Sequence, residues 1–168
     1  MAPEPSDNTP SQSTKTTTRM ALQNSIWPLD LPAPKGIKTW LATLFATVGA
    51  KEPDSGAKLA NLYTSDVVVY GLHGKSEGTE AIIKSRQTAW DYVESRNHKV
   101  LRVYTASSNY SDVLQVGKLT MGFKNCNSAT AEFIARILFE EASENNPKAS
   151  LYQVWGCSLG QGNDDDVI

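Results

Sequence analysis

One arginine stands among apolar residues that a folded domain would bury. Arg86 shares the inward arc of a predicted helix with Ile82, Ala89 and Trp90. A guanidinium that faces an apolar cavity is costly unless it is paired. It would therefore bind a carboxylate, an enolate or a carbonyl oxygen and stabilise developing negative charge. The alternative is that Arg86 reaches the rim of the cavity or pairs with a nearby acid.

Histidine and cysteine offer fewer candidates for catalysis. His73 follows a predicted strand, where it could act as a general base at neutral pH or be an idle surface residue. His98 opens another strand and is expected to cap or fill an edge. Cys126 lies in a predicted turn and Cys157 after the last strand, and neither has an evident histidine partner for nucleophilic catalysis.

Composition excludes several classes of function. Two histidines and two cysteines are too few and too scattered for a zinc cage. The sequence also contains no nucleotide-binding loop or flavin fingerprint, so no metal and no cofactor is implied. A net charge of -2 provides no basic surface for a nucleic acid or an anionic membrane. The N-terminus carries no export signal, which predicts a cytoplasmic protein with free thiols.

The chain divides into one predicted domain and two tails. Residues 1–35 are rich in Pro, Ser and Thr and bury too little apolar surface to order, so we expect disorder there. Ile26, Trp27 and Leu29 could nevertheless dock on the domain. Residues 160–168 form an acidic C-terminal tail. The domain itself is predicted to span residues 36–159.

Hydrophobic periodicity predicts an α+β domain. A helical stripe runs from Ile37 to Val48, a short helix covers residues 56–63, and a third helix covers residues 79–94. Strands rich in β-branched and aromatic residues follow, at residues 66–71, 98–105, 111–124, 130–140 and 150–156. Helices followed by long antiparallel strands place the helices on one face of a curled sheet, which encloses a pocket if the sheet bends enough.

Three local motifs resemble the nuclear transport factor 2-like superfamily, which includes SnoaL-like polyketide cyclases and steroid delta-isomerases. They are L-Y-T-S-D-V-V-V-Y-G at residues 62–71, G-T-E-A-I at residues 78–82, and L-Y-Q-V-W at residues 151–155. The resemblance implies a cone-shaped, dimer-forming domain with three helices packed on a strongly curved, mainly antiparallel sheet. The catalytic positions of the steroid isomerases are occupied here by Gly71, Ala135 and Ala42 or Thr43, so the resemblance does not extend to delta-isomerase activity.

The resemblance also implies which strand face lines the pocket, and the alternation of apolar residues on the middle two strands agrees with it. The predicted ligand-binding residues are Trp40, Tyr63, Trp90, Gln115, Met121, Phe123, Phe133, Gln153 and Trp155. The aromatic members could instead be plain core. The two glutamines could orient a ligand or hydrogen-bond to each other across the sheet.

The opposite sheet face would then form a homodimer interface through Glu132, Arg136 and Tyr152. Side chains alternate along a strand, so a register error of one residue would turn Glu132 and Arg136 inward as acid/base candidates.

Two functions fit these residues. The first is a pocket protein that acts as a cofactor-independent isomerase, cyclase or dehydratase on a hydrophobic polyketide- or terpenoid-like compound, with Arg86 polarising an oxygen. The second is a ligand-binding or dimerisation module without turnover. The missing carboxylates favour the second, and the polar groups predicted for an aromatic cavity favour the first.

Overall fold

Three helices precede or interrupt the strands in the computed structural model, which describes residues 21–71, 74–140 and 145–156. Helix α1 (Lys35–Val48) follows the predicted stripe and buries Ile37, Trp40, Leu41, Leu44 and Phe45. Helix α2 spans Ser55–Ala60 and helix α3 spans Gly78–Ser85. No helix of the described ranges is long and apolar enough to cross a membrane.

The predicted third helix extends nine residues too far, about two and a half turns. Helix α3 ends at Ser85, and residues 86–92 form turns in which Arg86 N–H donates to the Ile83 carbonyl and Ala89 N–H to the Arg86 carbonyl. The next segment pairs with another strand, from Val93 opposite Phe123 onward. Tertiary pairing therefore overrides a helical pattern of apolar residues.

Six strands form one mixed sheet. Strand β1 spans Tyr63–Gly71, β2 Gly74–Glu77, β3 Val93–Thr105, β4 Asp112–Phe123, β5 Ser128–Glu140 and β6 Lys148–Gly156. Their order is β2-β1-β6-β5-β4-β3, with β1 and β6 parallel and the other neighbours antiparallel. Strand β2, which the sequence did not predict, lies at one edge of this sheet. The predicted α+β class and mainly antiparallel sheet are confirmed.

The inner face of the sheet packs on α1, and its register was predicted correctly on β4 and β5. Gln115, Phe133, Ala135, Ile137 and Phe139 are all buried. Strand β6 differs, because the pairing shifts by one residue between Leu138 opposite Leu151 and Phe139 opposite Ala149. Such a bulge sends the following side chains to the other face.

The bulge overturns three predicted orientations. Tyr152 pairs with the buried Ile137 and packs on the core, so it does not face outward. Gln153 and Trp155 pair with Arg136 and Ile134 and lie on the outer face, where 46% of Trp155 is exposed. The two glutamines therefore point to opposite sides of the sheet, which excludes a hydrogen bond between them.

Part of the predicted disordered tail is ordered against the edge of β3. Ile26 donates its N–H to the Leu101 carbonyl and accepts from Val103 N–H, and Trp27 packs near Tyr110. Leu29 does not dock, since 95% of it is exposed. This segment covers a strand edge that would otherwise be free to pair. Residues 1–20 and the acidic tail at 160–168 lie outside the described residues.

Candidate functional site

A cleft of about 680 Å³ opens where the helices meet one end of the sheet. Helices α2 and α3 and the turns at residues 86–92 form one wall, and the ends of β1, β3 and β4 form the other. Its apolar lining includes Leu59, Tyr63, Val69, Ile82, Met121 and Phe123. None of the described lining residues is Asp or Glu, whereas Arg86, Arg96 and Lys75 contribute positive charge.

Arg86 lies in this wall, at the C-cap of α3. Its Nη2 donates to the backbone carbonyls of Val48 at 3.1 Å and Ala50 at 3.4 Å, and carbonyls at the C-terminal end of a helix such as α1 attract a cation. Its guanidinium lies 5.9 Å from the centre of the Trp90 ring. Burial, together with the charge of Arg96, lowers the pKa of Arg86 to about 10, so it remains a cation at neutral pH.

Arg96 is the site residue that sequence reasoning missed. It pairs with Met121 across β3 and β4, and both side chains therefore face the cleft. Nη2 donates to the Ala89 carbonyl at 2.6 Å, and the guanidinium lies 5.1 Å from the Trp90 ring centre. Burial lowers the pKa of Arg96 as well. Extending the predicted strand back to Val93 would have revealed its inward orientation.

Two neutral phenols accompany the arginines: Tyr63 lines the cleft, and Tyr152 packs on the core. Burial raises the pKa of Tyr63 well above its ordinary value, and the nearby Tyr152 phenol adds to the rise. Burial also raises the pKa of Tyr152, while the amide of Gln115 partly opposes that change. Both phenols thus stay protonated at neutral pH. The described wall accordingly offers the Tyr63 hydroxyl and two guanidiniums, a set suited to an electron-rich oxygen.

His98 lies behind the cleft, deeper in the cone. Its ring centre is 5.1 Å from that of Phe45 and 6.1 Å from that of Phe133. Burial and the charges of Arg96 and Arg86 lower the pKa of His98 to about 4. The predicted role as an edge cap is therefore wrong, because His98 is a neutral member of the aromatic core. His73 lies outside the described residues.

The structure distributes the predicted ligand-binding residues over four environments. Tyr63, Met121 and Phe123 line the cleft, as Arg86 does. Trp40, Gln115 and Phe133 are core residues, and Trp90 lies against the two guanidiniums with its indole N–H donating to the Ala50 carbonyl. Phe133 fills the interior beside Gly117, where a Cβ would come within 2.5 Å of its Cζ. Gln153 and Trp155 are on the outer face.

Glu132 and Arg136 also lie on the outer face. Glu132 is 3.5 Å from the Lys118 ammonium, and Arg136 forms a two-point ion pair with Asp112 at 3.0 and 2.7 Å. The alternative register, in which these residues enter the pocket as an acid and a base, is therefore wrong.

Gln115 provides a stability test of this description. Its side chain is fully buried, and its amide lies close enough to the Tyr152 phenol to affect the pKa of that phenol, but neither Nε2 nor Oε1 makes a well-formed hydrogen bond among the described residues. We expect Gln115→Met to raise the free energy of unfolding by about 1–3 kcal/mol, since it replaces an unsatisfied amide with a similar apolar shape. Urea denaturation measures the change, with Gln153→Met on the outer face as a near-neutral control. A less stable Gln115→Met protein would contradict the description.

Solved structures share this fold. A nuclear transport factor 2-like protein of unknown function from Exiguobacterium sp. 255-15 matches with a TM-score of 0.59 and 10% identity, over 71% of this chain and 99% of that chain. A proposed SnoaL-like polyketide cyclase from Shewanella denitrificans gives 0.57 and 12%, over 71% and 89%. A ketosteroid isomerase-like protein from Erwinia carotovora atroseptica gives 0.56 and 13%, over 74% and 96%.

These matches establish the architecture alone, since one fold carries many activities. No family model matches the chain, and no curated protein matches it in sequence. The resemblance to nuclear transport factor 2-like and SnoaL-like proteins is therefore confirmed at the level of the cone fold, with no specific member identified.

Proposed function

We propose that this protein binds a hydrophobic, oxygenated small molecule of polyketide- or terpenoid-like character in the cleft between α3 and the end of β4. The single observation that carries the proposal is the cleft itself. Its volume of about 680 Å³ falls in the range of small-molecule sites. Most of its lining is apolar, and a few cationic and donor groups interrupt that lining.

The lining suggests how a ligand would be oriented. Ile82, Met121 and Phe123 offer a hydrocarbon surface on which the apolar body would lie. Arg86 would then meet an oxygen of the ligand from α3, and fixed donors of this kind impose a single orientation. The deep interior is filled by Trp40, Phe45 and Phe133, so the ligand would occupy the open end of the cone.

In the catalytic form of this proposal, the protein converts the bound molecule as an isomerase, cyclase or dehydratase. Its supporting observation is the presence of two arginines and the neutral Tyr63 phenol among the lining residues, which would stabilise an enolate as it forms. His73 is our candidate for the general base, because in sequence it lies between Gly71 and Gly74 of the cleft wall. The lack of a carboxylate among the described lining residues favours the second candidate, a binding module without turnover.

Filling the cleft tests the proposal. Met121 faces the cleft and Thr120, the preceding residue on β4, faces outward and is exposed. We expect Met121→Trp to weaken binding of the neutral ketone 2-acetylnaphthalene at least about tenfold, equivalent to about 1.4 kcal/mol. Thr120→Trp adds the same side chain outside the cleft and should leave the dissociation constant unchanged. Equal affinities of the two variants would contradict the proposal.

We also propose a homodimer through the outer sheet face. Ile134 and Trp155 lie next to each other there, 43% and 46% exposed, with Leu114 and Val116 beside them. Arg136 and Glu132 remain part of this surface, whereas Tyr152 does not. An apolar centre with a charged rim is typical of subunit interfaces.

Sedimentation measures this assembly. We expect the wild type to be a dimer and Ile134→Lys to be a folded monomer, because a charge in the centre of the interface would be desolvated. Leu29→Lys is the matched control, since Leu29 is exposed on the N-terminal segment. A monomeric wild type would refute the interface.

A further inference from the structure

Two guanidinium groups in the cleft wall have no acidic partner in the described part of the chain. The ion pairs of the described residues join other side chains, such as Lys75 with Glu77 and Lys51 with Glu94. Arg86 and Arg96 are both half-buried, and a buried cation is normally paired. Lys75, the third cation of the lining, already has its carboxylate.

What holds the two arginines in place does not neutralise them. Backbone carbonyls of Val48, Ala50 and Ala89 accept from one terminal nitrogen of each guanidinium, and Trp90 provides an aromatic face. Each guanidinium carries five N–H donors, so most of them are left over. Neither Nε has a partner among the described residues. The two positive charges also repel each other, and this repulsion is one cause of the lowered pKa of Arg86.

We infer that the cleft selects ligands that carry a carboxylate, which Arg86 and Arg96 bind together while the apolar body lies on Met121 and Phe123. This inference rests on the proposed function, since it names the class of ligand for the same cleft. A carboxylate matches the planar fork of an arginine and accepts two hydrogen bonds from it. It would also relieve the repulsion between the two cations. The apolar residues of the same wall argue for an organic anion over a free inorganic one.

A matched pair of probes tests the inference. Naphthalene-2-carboxylate and 2-naphthamide have the same ring system, and only the first is an anion at pH 7. We expect the wild-type protein to bind the carboxylate at least tenfold more tightly than the amide in calorimetric titrations. Added salt should reduce this preference. Inorganic phosphate alone should compete only weakly, because it has no apolar body.

Two variants test whether the preference for the carboxylate depends on Arg96. We expect Arg96→Gln to abolish it, since a charged hydrogen-bonding group is lost while amide binding is kept. Lys51→Gln is the control, because Lys51 also lies over Trp90, at 5.4 Å, but does not line the cleft. That variant should keep the full preference. The wild-type comparison of the two probes stands on its own if Arg96→Gln does not fold.

The outcomes separate this inference from the proposed function. Equal affinity of the wild type for the two probes would overturn the carboxylate preference and leave the small-molecule cleft standing. A preference that survives in Arg96→Gln would also overturn it, since the anion would then be bound elsewhere. Binding of neither probe would contradict both.

Discussion

Replacing Trp40 with alanine is expected to lower the free energy of unfolding by about 3–5 kcal/mol. Trp40 is 3% exposed and meets Tyr63 and Phe139 edge to face, with ring centres 5.7 and 5.0 Å apart. Its indole N–H also donates to the Leu62 carbonyl at 2.7 Å, just before β1. The substitution removes this aromatic contact between α1 and the sheet and one of the two hydrogen bonds to the Leu62 carbonyl, which keeps the N–H of Ala149 as a donor.

Denaturation in urea measures this loss. Tyr92→Ala removes an aromatic side chain that is 82% exposed, and should change the free energy of unfolding by less than about 0.5 kcal/mol. Trp40→Phe should fall between the two, because it keeps aromatic packing but not the hydrogen bond. A Trp40→Ala protein as stable as Tyr92→Ala would show that α1 does not pack on the sheet as described.

Acid should destabilise the protein through His98. The pKa of His98 is lowered from 6.5 to about 4 in the folded state, first by burial and then by Arg96 and Arg86. Between these pH values the unfolded chain binds a proton that the folded protein does not. The contribution of the neutral His98 to the free energy of unfolding is therefore fully present above pH 6.5. This contribution, about 3 kcal/mol, is lost as the pH falls to about 4.

The difference between wild type and His98→Phe isolates this effect, since the carboxylates that titrate at low pH contribute to both proteins. We expect the wild type to lose more stability than the variant between pH 7 and pH 4. His98→Leu provides a second comparison if the larger ring does not fit beside Phe45 and Phe133. Parallel stability curves for wild type and both variants would show that His98 is not buried as a neutral ring.

Most of the architecture could be predicted where a local pattern and the tertiary contact agree. The stripe of α1 and the alternation on β4 and β5 are such cases, because each buries one face only. The orientation of β6 could not be predicted, since a one-residue bulge near Leu138 leaves no trace in composition. The end of α3 was missed because residues up to Val93 keep a helical spacing of apolar side chains.

The candidate site could likewise be predicted only where local periodicity sets the position of a residue. Arg86 was found because it directly follows the last residue of α3, as its C-cap, where the helical periodicity still holds. Arg96 was missed because its position depends on pairing with Met121, a contact between residues far apart in sequence. Gln153 and Trp155 were placed on the wrong face by the bulge. Trp40 and Phe133 belong to the aromatic core, which was the alternative predicted for the aromatic residues.

The most direct test of the small-molecule cleft is a methyl NMR titration. Met121 lines the cleft and is one of three methionines in the chain, and Met121→Leu assigns its signal. Protein labelled at the methionine methyls is titrated separately with 2-acetylnaphthalene and naphthalene-2-carboxylate. The account predicts a saturable shift of the Met121 signal with at least one probe. A Met121 signal that stays in place with both would contradict it.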